Sequence, residues 1–449
     1  MQEPWSLTAS EAASLIKTGG LTVEAYARSL LTRIKDRDAS VKAWAYLDPE
    51  LVLCRARELD LTPVEQRGPL HGVAIGVKDI MLTKDMPTQH NSPIYASDTA
   101  GTVDAAPIIA LRAAGALIFG KTTTTEFAAS TQGGYHQNHT SNAHDFKRTP
   151  GGSSSGSAAA VGAFQVPIAL GTQTAGSIIR PGSFNGIYAF KPTWGAISRE
   201  GLAQCSITCD TVGFFARSVA DFELMASVFR IVDDESRPAE QSFSLQGAKI
   251  GFCKTPTWPH AGPGTVAAWE KAQLLLRSNG AVVEDVQLPK DFDRVADWHE
   301  KVLASEGRSS FFGNYLLGKD MMHETMTGYV ENEKGFSRKQ YLEAYDGCAR
   351  LRPVLDDIIG RYDAVITPSV IDEAPIGLES TGSAALCLMW TIMHVPCVNL
   401  PGFAGENSMP IGLTLVKPRY HDISALHISK AIGRVFDAEG GWRTQQIRS

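Results

Sequence analysis

Between Thr149 and Gly186 the chain carries a long segment that is rich in glycine and serine. Residues 151–157 read GGSSSGS, and residues 171–177 read GTQTAGS. Such a composition is typical of a flexible linker. Apolar stretches, among them Val166–Leu170, interrupt the segment, so we interpret it as closely packed backbone at the centre of a fold.

The rest of the chain has the alternating pattern of an α/β protein. At the N-terminus, Thr8 and Glu11 have the spacing of a capping box that begins a helix. Further on, Lys249–Phe252 is predicted to be a strand, Thr265–Ser278 a helix and Ala281–Val283 the next strand. Such units form parallel strand pairs covered by helices. The sequence therefore predicts an α/β fold with a single large domain, a twisted mixed β-sheet covered by helices on both faces.

We divide this domain (1–449) into three parts. Residues 1–65 are predicted to form N-terminal outer helices, which also offer a surface for a homodimer. Residues 66–220 contain the glycine- and serine-rich segment and are expected to form the catalytic core. Residues 247–449 complete the sheet, and their aromatic- and methionine-rich part, 291–360, is predicted to be helical and to shape a substrate pocket.

The composition excludes several classes of protein. Lys and Arg total 42 against 48 Asp and Glu, whereas nucleic-acid-binding proteins normally carry an excess of positive charge. The N-terminus lacks the layout of a signal peptide, and the most apolar stretch, Ala384–Val398, is too short to span a bilayer. The seven cysteines show no disulfide framework. We therefore expect a cytoplasmic protein that binds neither nucleic acid nor a membrane.

Three short patterns suggest other sites, and each has a simpler interpretation. Residues 152–156 match the G-x-S-x-G motif of α/β-hydrolases, but the hydrophobic strand that this motif requires does not precede them. The three histidines between residues 136 and 144 lie in a polar loop, with a poor spacing for a metal site. Cys205 and Cys209 lack a second pair of ligands nearby, which favours buried free thiols. No metal site is predicted.

Two segments carry the groups of a nucleophilic site. The strand predicted at Val166–Leu170 leads directly into residues 171–177, so Ser177 would lie on a turn of small residues that exposes successive backbone N–H groups. Such donors can stabilise the negative charge of an oxyanion. Lys78 ends a second predicted strand, Val73–Val77, where burial would lower the pKa of its amine. A neutral lysine can accept a proton from a serine and so activate it.

These residues resemble the amidase signature family, and the resemblance extends over essentially the full chain. The matching motifs, in addition to the glycine- and serine-rich segment, are Gly72–Asp79, Gly120–Thr122, Glu126-Phe127, Asn142–Asp145, Arg148, Phe190–Thr193, Thr367-Pro368 and Pro410–Leu413. A co-linear series of this length is far more specific than any single short motif. The resemblance implies the amidase signature fold and an amidohydrolase activity.

The resemblance also implies a catalytic triad of two serines and a lysine. Ser177 would be the nucleophile, Ser153 the bridging serine that follows a cis peptide bond, and Lys78 the base. The oxyanion hole would be formed by the backbone N–H groups of Thr174, Ala175, Gly176 and Ser177. The family's mechanism implies no metal and no organic cofactor.

The nucleophile segment departs from the family pattern. Gln173 stands where the family usually has aspartate, and Ile179 where it has arginine; the arginine comes one residue later, at Arg180. Ala175 also replaces a usual glycine. If the usual aspartate and arginine form a buried ion pair, losing both is less harmful than losing one. We interpret the chain as an active variant subgroup.

The expected activity is hydrolysis of a carboxylic amide of a small organic molecule, with release of ammonia or an amine. The candidates for substrate binding are Gln132, Tyr135, Trp298 and Met326. An aromatic pocket would favour an aryl or arylalkyl amide, although the aromatic and methionine side chains of 291–360 fit helix packing equally well. Three alternatives remain open: a protein like the A subunit of a glutamine amidotransferase, which supplies ammonia for charged tRNA, an esterase with the same triad, and a non-catalytic scaffold.

Overall fold

A computed structural model describes residues 3–99, 101–129, 139–233 and 243–443. Within these ranges a single sheet of 11 strands forms the centre of the molecule. The strands are β1 (Trp44–Tyr46), β2 (Ala74–Lys78), β3 (Leu117–Thr122), β4 (Ile168–Gln173), β5 (Tyr188–Lys191), β6 (Thr211–Ala216), β7 (Lys249–Cys253), β8 (Val282–Val286), β9 (Ala364–Pro368), β10 (Cys397–Ala404) and β11 (Pro410–Val416). The predicted α/β fold with one large mixed sheet is confirmed.

The α-helices precede, follow and connect these strands. They are α1 (Ala9–Thr18), α2 (Val23–Val41), α3 (Pro49–Asp60), α4 (Ala106–Ala113), α5 (Ser155–Gly162), α6 (Ile179–Phe184), α7 (Val219–Val228), α8 (Pro263–Ser278), α9 (Val295–Ser310), α10 (Phe312–Gly318), α11 (Glu324–Glu331), α12 (Arg338–Ile359), α13 (Leu388–Ile392) and α14 (Asp422–Glu439). Among the described residues, no helix is both long enough and apolar enough to cross a membrane.

The sheet combines parallel and antiparallel pairs. Its strand order is β1-β3-β2-β4-β6-β5-β10-β11-β9-β7-β8. β2 is parallel to both β3 and β4, and β7 is parallel to both β8 and β9, while the other neighbours are antiparallel. Because β2 and β4 run in the same direction, Lys78 and the Ser177 turn emerge at the same edge of the sheet, where ligands bind in many α/β folds.

Helices cover both faces of the sheet, because alternate strand residues enter different cores. In β4, Ile168 and Leu170 pack in one core with apolar residues of α7, α8 and α14, whereas Ala169 packs in another with residues of α2, α3 and α5. A further core joins α9, α12 and α13 to the strands of the C-terminal half. This alternation is what a strand with two covered faces requires.

Candidate active site

Lys78 is the last residue of β2, and its side chain is completely buried. Its Nζ lies 2.8 Å from Ser153 Oγ, 2.9 Å from Ser154 Oγ and 2.9 Å from Thr172 Oγ1. Three hydroxyl groups from two segments of the glycine- and serine-rich region therefore surround the amine. In the part of the chain that the structure describes, no carboxylate is hydrogen-bonded to it.

Burial holds the pKa of the Lys78 amine well below its usual value, because the charged form loses its hydration. The negative charge of Asp210 opposes this effect, and the positive charge of Arg180 reinforces it. A neutral amine can accept a hydrogen bond from a serine hydroxyl and then take its proton. Lys78 thus has the properties of a general base.

Ser153 lies just before α5, beside the Lys78 amine. The peptide bond that joins Gly152 to Ser153 is cis. The start of α5 comes unusually close to the backbone that precedes β1, since a Cβ on Gly156 would lie only 2.2 Å from the carbonyl oxygen of Ala43. Glycine is required at such a close approach. Part of the glycine content of this segment therefore serves to bring Ser153 next to Lys78.

The turn that carries Ser177 connects β4 to α6, and hydrogen bonds to its carbonyl groups hold it in place. The carbonyl oxygen of Thr174 is 2.9 Å from His299 Nε2 of α9. The carbonyl oxygen of Ala175 accepts a hydrogen bond from Thr391 Oγ1 of α13, at 2.7 Å. Two helices distant in sequence thus fix the direction of the carbonyl groups in this turn.

The N–H groups of the same turn are not used in this way. Within the described residues, the N–H groups of Ala175, Gly176 and Ser177 donate to no protein acceptor. They are preorganised donors of the kind that an oxyanion hole requires. In the same part of the chain, no hydrogen bond joins the Ser177 hydroxyl to that of Ser153; catalytic contacts often tighten only when substrate binds.

The structure gives a physical account of Gln173 and Ile179, the two departures from the family pattern. The Gln173 Oε1 accepts hydrogen bonds from the N–H groups of Ile178 (2.8 Å) and Ile179 (3.0 Å). Its Nε2 donates to Thr391 Oγ1 at 2.9 Å. The Ile179 side chain is buried in the core that contains Trp390. Both side chains are neutral and buried, and the amide of Gln173 has partners on both sides, so neither position leaves an unpaired charge.

A narrow cleft, with a cavity volume of about 10 Å³, lies beside this turn. Its polar lining consists of Thr172, Thr174, Arg199, Gln204, Asp210 and Thr211, and its apolar lining of Ile80, Phe127, Ala128, Leu202, Ala203, Cys205 and Val212. Thr172 belongs both to this lining and to the hydroxyl groups around Lys78. Lys78, Ser153 and Ser177 are not themselves part of the lining, so Thr172 is the residue that joins the cleft to the hydroxyl groups around the amine.

Asp210 connects the cleft to the nucleophile turn. Its carboxylate accepts hydrogen bonds from Thr174 Oγ1 (2.6 Å) and from the N–H groups of Cys205 (2.8 Å) and Ser206 (3.1 Å). Burial raises the pKa of Asp210, and these hydrogen bonds oppose the shift. The sequence analysis did not identify this residue, because no local pattern relates it to the turn 36 residues earlier.

Trp298 and Met326, two of the predicted substrate-binding residues, are buried outside the lining of the cleft. Trp298 of α9 is 5% exposed and packs so closely on α12 that a Cβ on Gly347 would lie 2.6 Å from its ring. Met326 is completely buried in a cluster with Phe127 and Cys205, which do line the cleft. Met326 therefore supports the apolar wall from behind, and Trp298 packs between helices.

The other sequence-based candidates have different positions. Gln132 and Tyr135 lie outside the described residues. His144 Nε2 lies 2.9 Å from the carbonyl oxygen of Asn185, and all seven cysteines are free thiols. Among the residues that the structure describes, no three His, Cys, Asp or Glu side chains are placed to hold a metal ion.

Comparison with known proteins identifies the family. The Amidase family model matches residues 25–426. The chain is 31% identical to the A subunit of the glutamyl-tRNA(Gln) amidotransferase of Chloroflexus aggregans, over 99% of each protein. Among solved structures it is similar to a protein solved as an amidase (28% identity, TM-score 0.83, covering 94% of this chain and 98% of that one). It is also similar to the peptide amidase of Stenotrophomonas maltophilia (25% identity, TM-score 0.77, 97% of each chain). Because the family model covers most of its length, and because Lys78, Ser153 and the Ser177 turn lie together at one edge of the sheet, the chain belongs to the amidase signature family.

Proposed function

We propose that this protein is an amidohydrolase that cleaves the C–N bond of a small organic amide through an acyl-enzyme on Ser177. The observation that carries this proposal is the state of Lys78. Its amine is buried, has a lowered pKa and lies 2.8 Å from Ser153 Oγ. Burying an amine among hydroxyl groups lowers stability compared with an apolar side chain. A non-catalytic scaffold would have no need of this arrangement.

In the proposed reaction, neutral Lys78 takes a proton from Ser153, which takes one from Ser177 as the Ser177 Oγ attacks the amide carbon. The N–H groups of residues 174–177 donate to the oxyanion. The proton then moves from Lys78 through Ser153 to the leaving nitrogen, and ammonia or an amine departs. Water attacks the remaining ester and gives a proton to the same relay. The carboxylic acid is released and Ser177 is restored.

The cleft supports an acyl group with an apolar body. Ile80, Leu202 and Val212 provide aliphatic walls, and Phe127 provides an aromatic one. Phe127 is backed by Phe311, with 6.1 Å between the ring centroids. Each Å² of apolar substrate surface buried here contributes about 25 cal/mol, so an aryl or arylalkyl group gains more than a methyl group. We therefore propose that aryl and arylalkyl amides are preferred.

The predicted substrate-binding residues have two different roles in this proposal. Met326 packs in the same cluster as Phe127, so its substitution is expected to alter substrate preference through Phe127, whereas Trp298 packs in a separate core and is expected to affect stability. Gln132 and Tyr135 keep their predicted role in direct contact with substrate. Both sit close in sequence to Phe127 and Ala128 of the cleft wall.

A second candidate function is the release of ammonia from glutamine. The observation that favours it is the 31% identity to a glutamyl-tRNA(Gln) amidotransferase component over nearly the whole of both chains. That role would require partner subunits that receive the ammonia. The neutral Gln173 and Ile179 in the nucleophile turn, and the apolar wall of the cleft, favour the small-amide function instead. The same triad would also cleave esters, which are easier acyl donors.

Ammonia release separates these candidates. The purified protein is given aliphatic, aryl and arylalkyl primary amides and glutamine, with a Ser177→Ala protein as the blank. We expect turnover of aryl or arylalkyl amides that is lost in the variant. Turnover of glutamine alone would support the amidotransferase function. Equal turnover of acetamide and an aryl amide would contradict the proposed preference, and activity that survives in Ser177→Ala would contradict the proposed nucleophile.

Two further expectations concern the state of the protein. The seven free thiols fit a reducing compartment, so we propose a cytoplasmic location. The homodimer predicted through the N-terminal helices is checked by sedimentation equilibrium of the purified protein. A mass twice that of the 48.4 kDa chain is the expected result.

A further inference from the structure

Arg180, near the start of α6, is a buried cation whose partners are backbone carbonyl groups. Its Nη1 donates a hydrogen bond to the carbonyl oxygen of Gly382 at 2.6 Å, and its Nη2 donates to that of Gly152. The Nε is buried and has no hydrogen-bond partner. In the described residues, Arg180 forms no salt bridge with an acidic side chain. A buried charge without a counter-charge is unfavourable, so this position requires an explanation.

The contacts of Arg180 lead directly to the catalytic pair. Gly152 immediately precedes Ser153, whose Oγ lies 2.8 Å from Lys78 Nζ. A guanidinium bonded to the Gly152 carbonyl is therefore one peptide unit from the bridging serine. The second carbonyl, at Gly382, belongs to a separate segment that follows β9. Arg180 thus ties the backbone before Ser153 to α6 on one side and to this distant segment on the other.

Burial is the main cause of the lowered Lys78 pKa, and among the nearby charges Arg180 acts in the same direction. The negative charge of Asp210 favours the charged form of the Lys78 amine, whereas the positive charge of Arg180 disfavours it. The neighbouring Asp79 and Lys121 balance each other as an ion pair, with 3.0 Å between Oδ1 and Nζ. The groups hydrogen-bonded to the amine are uncharged hydroxyls. The positive charge of Arg180 is therefore the main charge that offsets Asp210.

We propose that Arg180 is a positioning residue for the catalytic pair. Its guanidinium holds the carbonyl groups of Gly152 and Gly382 so that Ser153 stays against Lys78, and its charge favours the unprotonated amine. This inference rests on the proposed function, since it takes Lys78 as the base that activates Ser177. It adds a role to the arginine that stands one residue later than the family pattern expects.

The test uses a probe that needs no knowledge of the substrate. An alkyl fluorophosphonate reacts with an activated serine: the Ser177 Oγ forms a bond to phosphorus, fluoride leaves, and the serine proton passes to Ser153 and Lys78. The rate of labelling is measured by intact mass at a series of pH values. The acidic limb of this profile reports the pH at which Lys78 loses its proton.

Two substitutions separate the charge of Arg180 from its hydrogen bonds. Arg180→Met removes the charge, so the acidic limb is expected to move to higher pH by about one unit, and labelling at neutral pH to fall about tenfold. Arg180→Lys keeps the charge but cannot hold two carbonyl groups in the geometry of a guanidinium. Its acidic limb is expected to stay in place, while the maximal labelling rate falls about tenfold.

Arg217 provides a matched control. It is also buried, and it also donates to backbone carbonyl groups, with Nη1 3.0 Å from Val166 O and Nη2 2.6 Å from Leu7 O. Arg217→Met is expected to lower the melting temperature without moving the acidic limb. A shift of the limb in Arg180→Met but not in Arg217→Met therefore excludes a general loss of stability as its cause.

The outcomes distinguish failure of this inference from failure of the proposed function. Wild-type protein that labels at Ser177, together with an unmoved limb in Arg180→Met, overturns the charge role of Arg180 alone. A wild-type maximal rate in Arg180→Lys overturns the positioning role. If Arg180→Met does not fold, the maximal labelling rate of Arg180→Lys tests the inference: a rate about tenfold below wild type supports it, and a wild-type rate overturns it. Wild-type protein that is not labelled at any pH overturns the proposed function and this inference with it.

Discussion

Two buried lysines at the ends of neighbouring parallel strands, Lys78 of β2 and Lys121 of β3, have different partners. The Lys121 Nζ lies 3.0 Å from Asp79 Oδ1 and donates to Thr88 Oγ1 and to the carbonyl oxygen of Pro87. The Lys78 Nζ is hydrogen-bonded to three hydroxyl groups. Both side chains are completely buried, so the difference lies in the chemistry of their partners and not in their depth.

The comparison shows how one edge of a sheet produces a structural cation and a base. Burial lowers the pKa of both amines. For Lys121, the adjacent carboxylate of Asp79 opposes that shift through charge and a hydrogen bond. For Lys78, the charge of Asp210 opposes that shift without a hydrogen bond to the amine, and the charge of Arg180 adds to it. Lys121 thus has the features of a buried ion pair, whereas Lys78 has those of a neutral general base.

The largest expected effect comes from removing the base. Lys78→Met is expected to lower kcat about 1000-fold, because a positioned general acid or base contributes about 10²–10⁴-fold. The amide identified in the ammonia-release panel serves as substrate, and Ser177→Ala sets the background. A Lys78→Met protein with kcat within tenfold of wild type would contradict the role of Lys78.

The corresponding substitution in the ion pair is expected to act on stability. Lys121→Met removes the cation that is paired with the buried Asp79 carboxylate, and breaking a buried pair in this way typically lowers the free energy of unfolding by about 3–5 kcal/mol. Urea unfolding measures this loss. The double variant Lys121→Met/Asp79→Leu is expected to recover most of the lost free energy of unfolding. If Lys121→Met alone is as stable as wild type, the pair does not stabilise the fold.

A third substitution gives Lys78 the surroundings of Lys121. Ser154→Asp places a carboxylate beside the amine that the Ser154 hydroxyl now contacts at 2.9 Å. An adjacent opposite charge favours the charged form and shifts a pKa by about 1–3 units. The pKa of Lys78 therefore rises, and the acidic limb of kcat/KM moves to higher pH. Ser154→Asn, similar in shape but uncharged, is the control; an equal shift in both variants would exclude the charge as its cause.

The smallest effect is expected where an ion pair lies at the surface. Lys430 and Glu223 pair at 2.9 Å between α14 and α7, with side chains 40% and 31% exposed. Water screens such a pair, so Lys430→Met is expected to change the free energy of unfolding by about 0.5 kcal/mol. Urea unfolding of Lys430→Met and of Lys121→Met, each compared with wild type, gives the two losses of free energy. A loss as large as that of Lys121→Met would show that burial does not set the strength of these pairs.

Local patterns in the sequence predicted the elements that carry the chemistry. The capping box at the start of α1 is present, with Thr8 Oγ1 accepting from the Glu11 N–H and the Glu11 carboxylate accepting from the Thr8 N–H. The strand predicted before Lys78 is confirmed as β2, and burial of its last residue follows from the apolar residues before it. These predictions succeeded because each depends on neighbours within a few residues.

The supports of the nucleophile turn could not be predicted in this way. His299, Thr391 and Asp210 hold the turn, yet they lie 125, 216 and 36 residues from the positions they contact. A single sequence contains no local signal for such pairs. Similarly, the apolar spacing around Trp298 is the same for a helix that packs in a core and for one that lines a pocket. Only the approach of α12 at Gly347 distinguishes the two.

The protonation state of Lys78 is the central claim, and NMR measures it directly. Protein labelled with ¹³C at the lysine Cε positions is titrated, and the Lys78 signal is identified by its loss in Lys78→Met. The account predicts that this signal changes from the charged to the neutral form at a lower pH than the signals of the exposed lysines do. A Lys78 signal that titrates near 10.4, the value of an ordinary lysine, would contradict it.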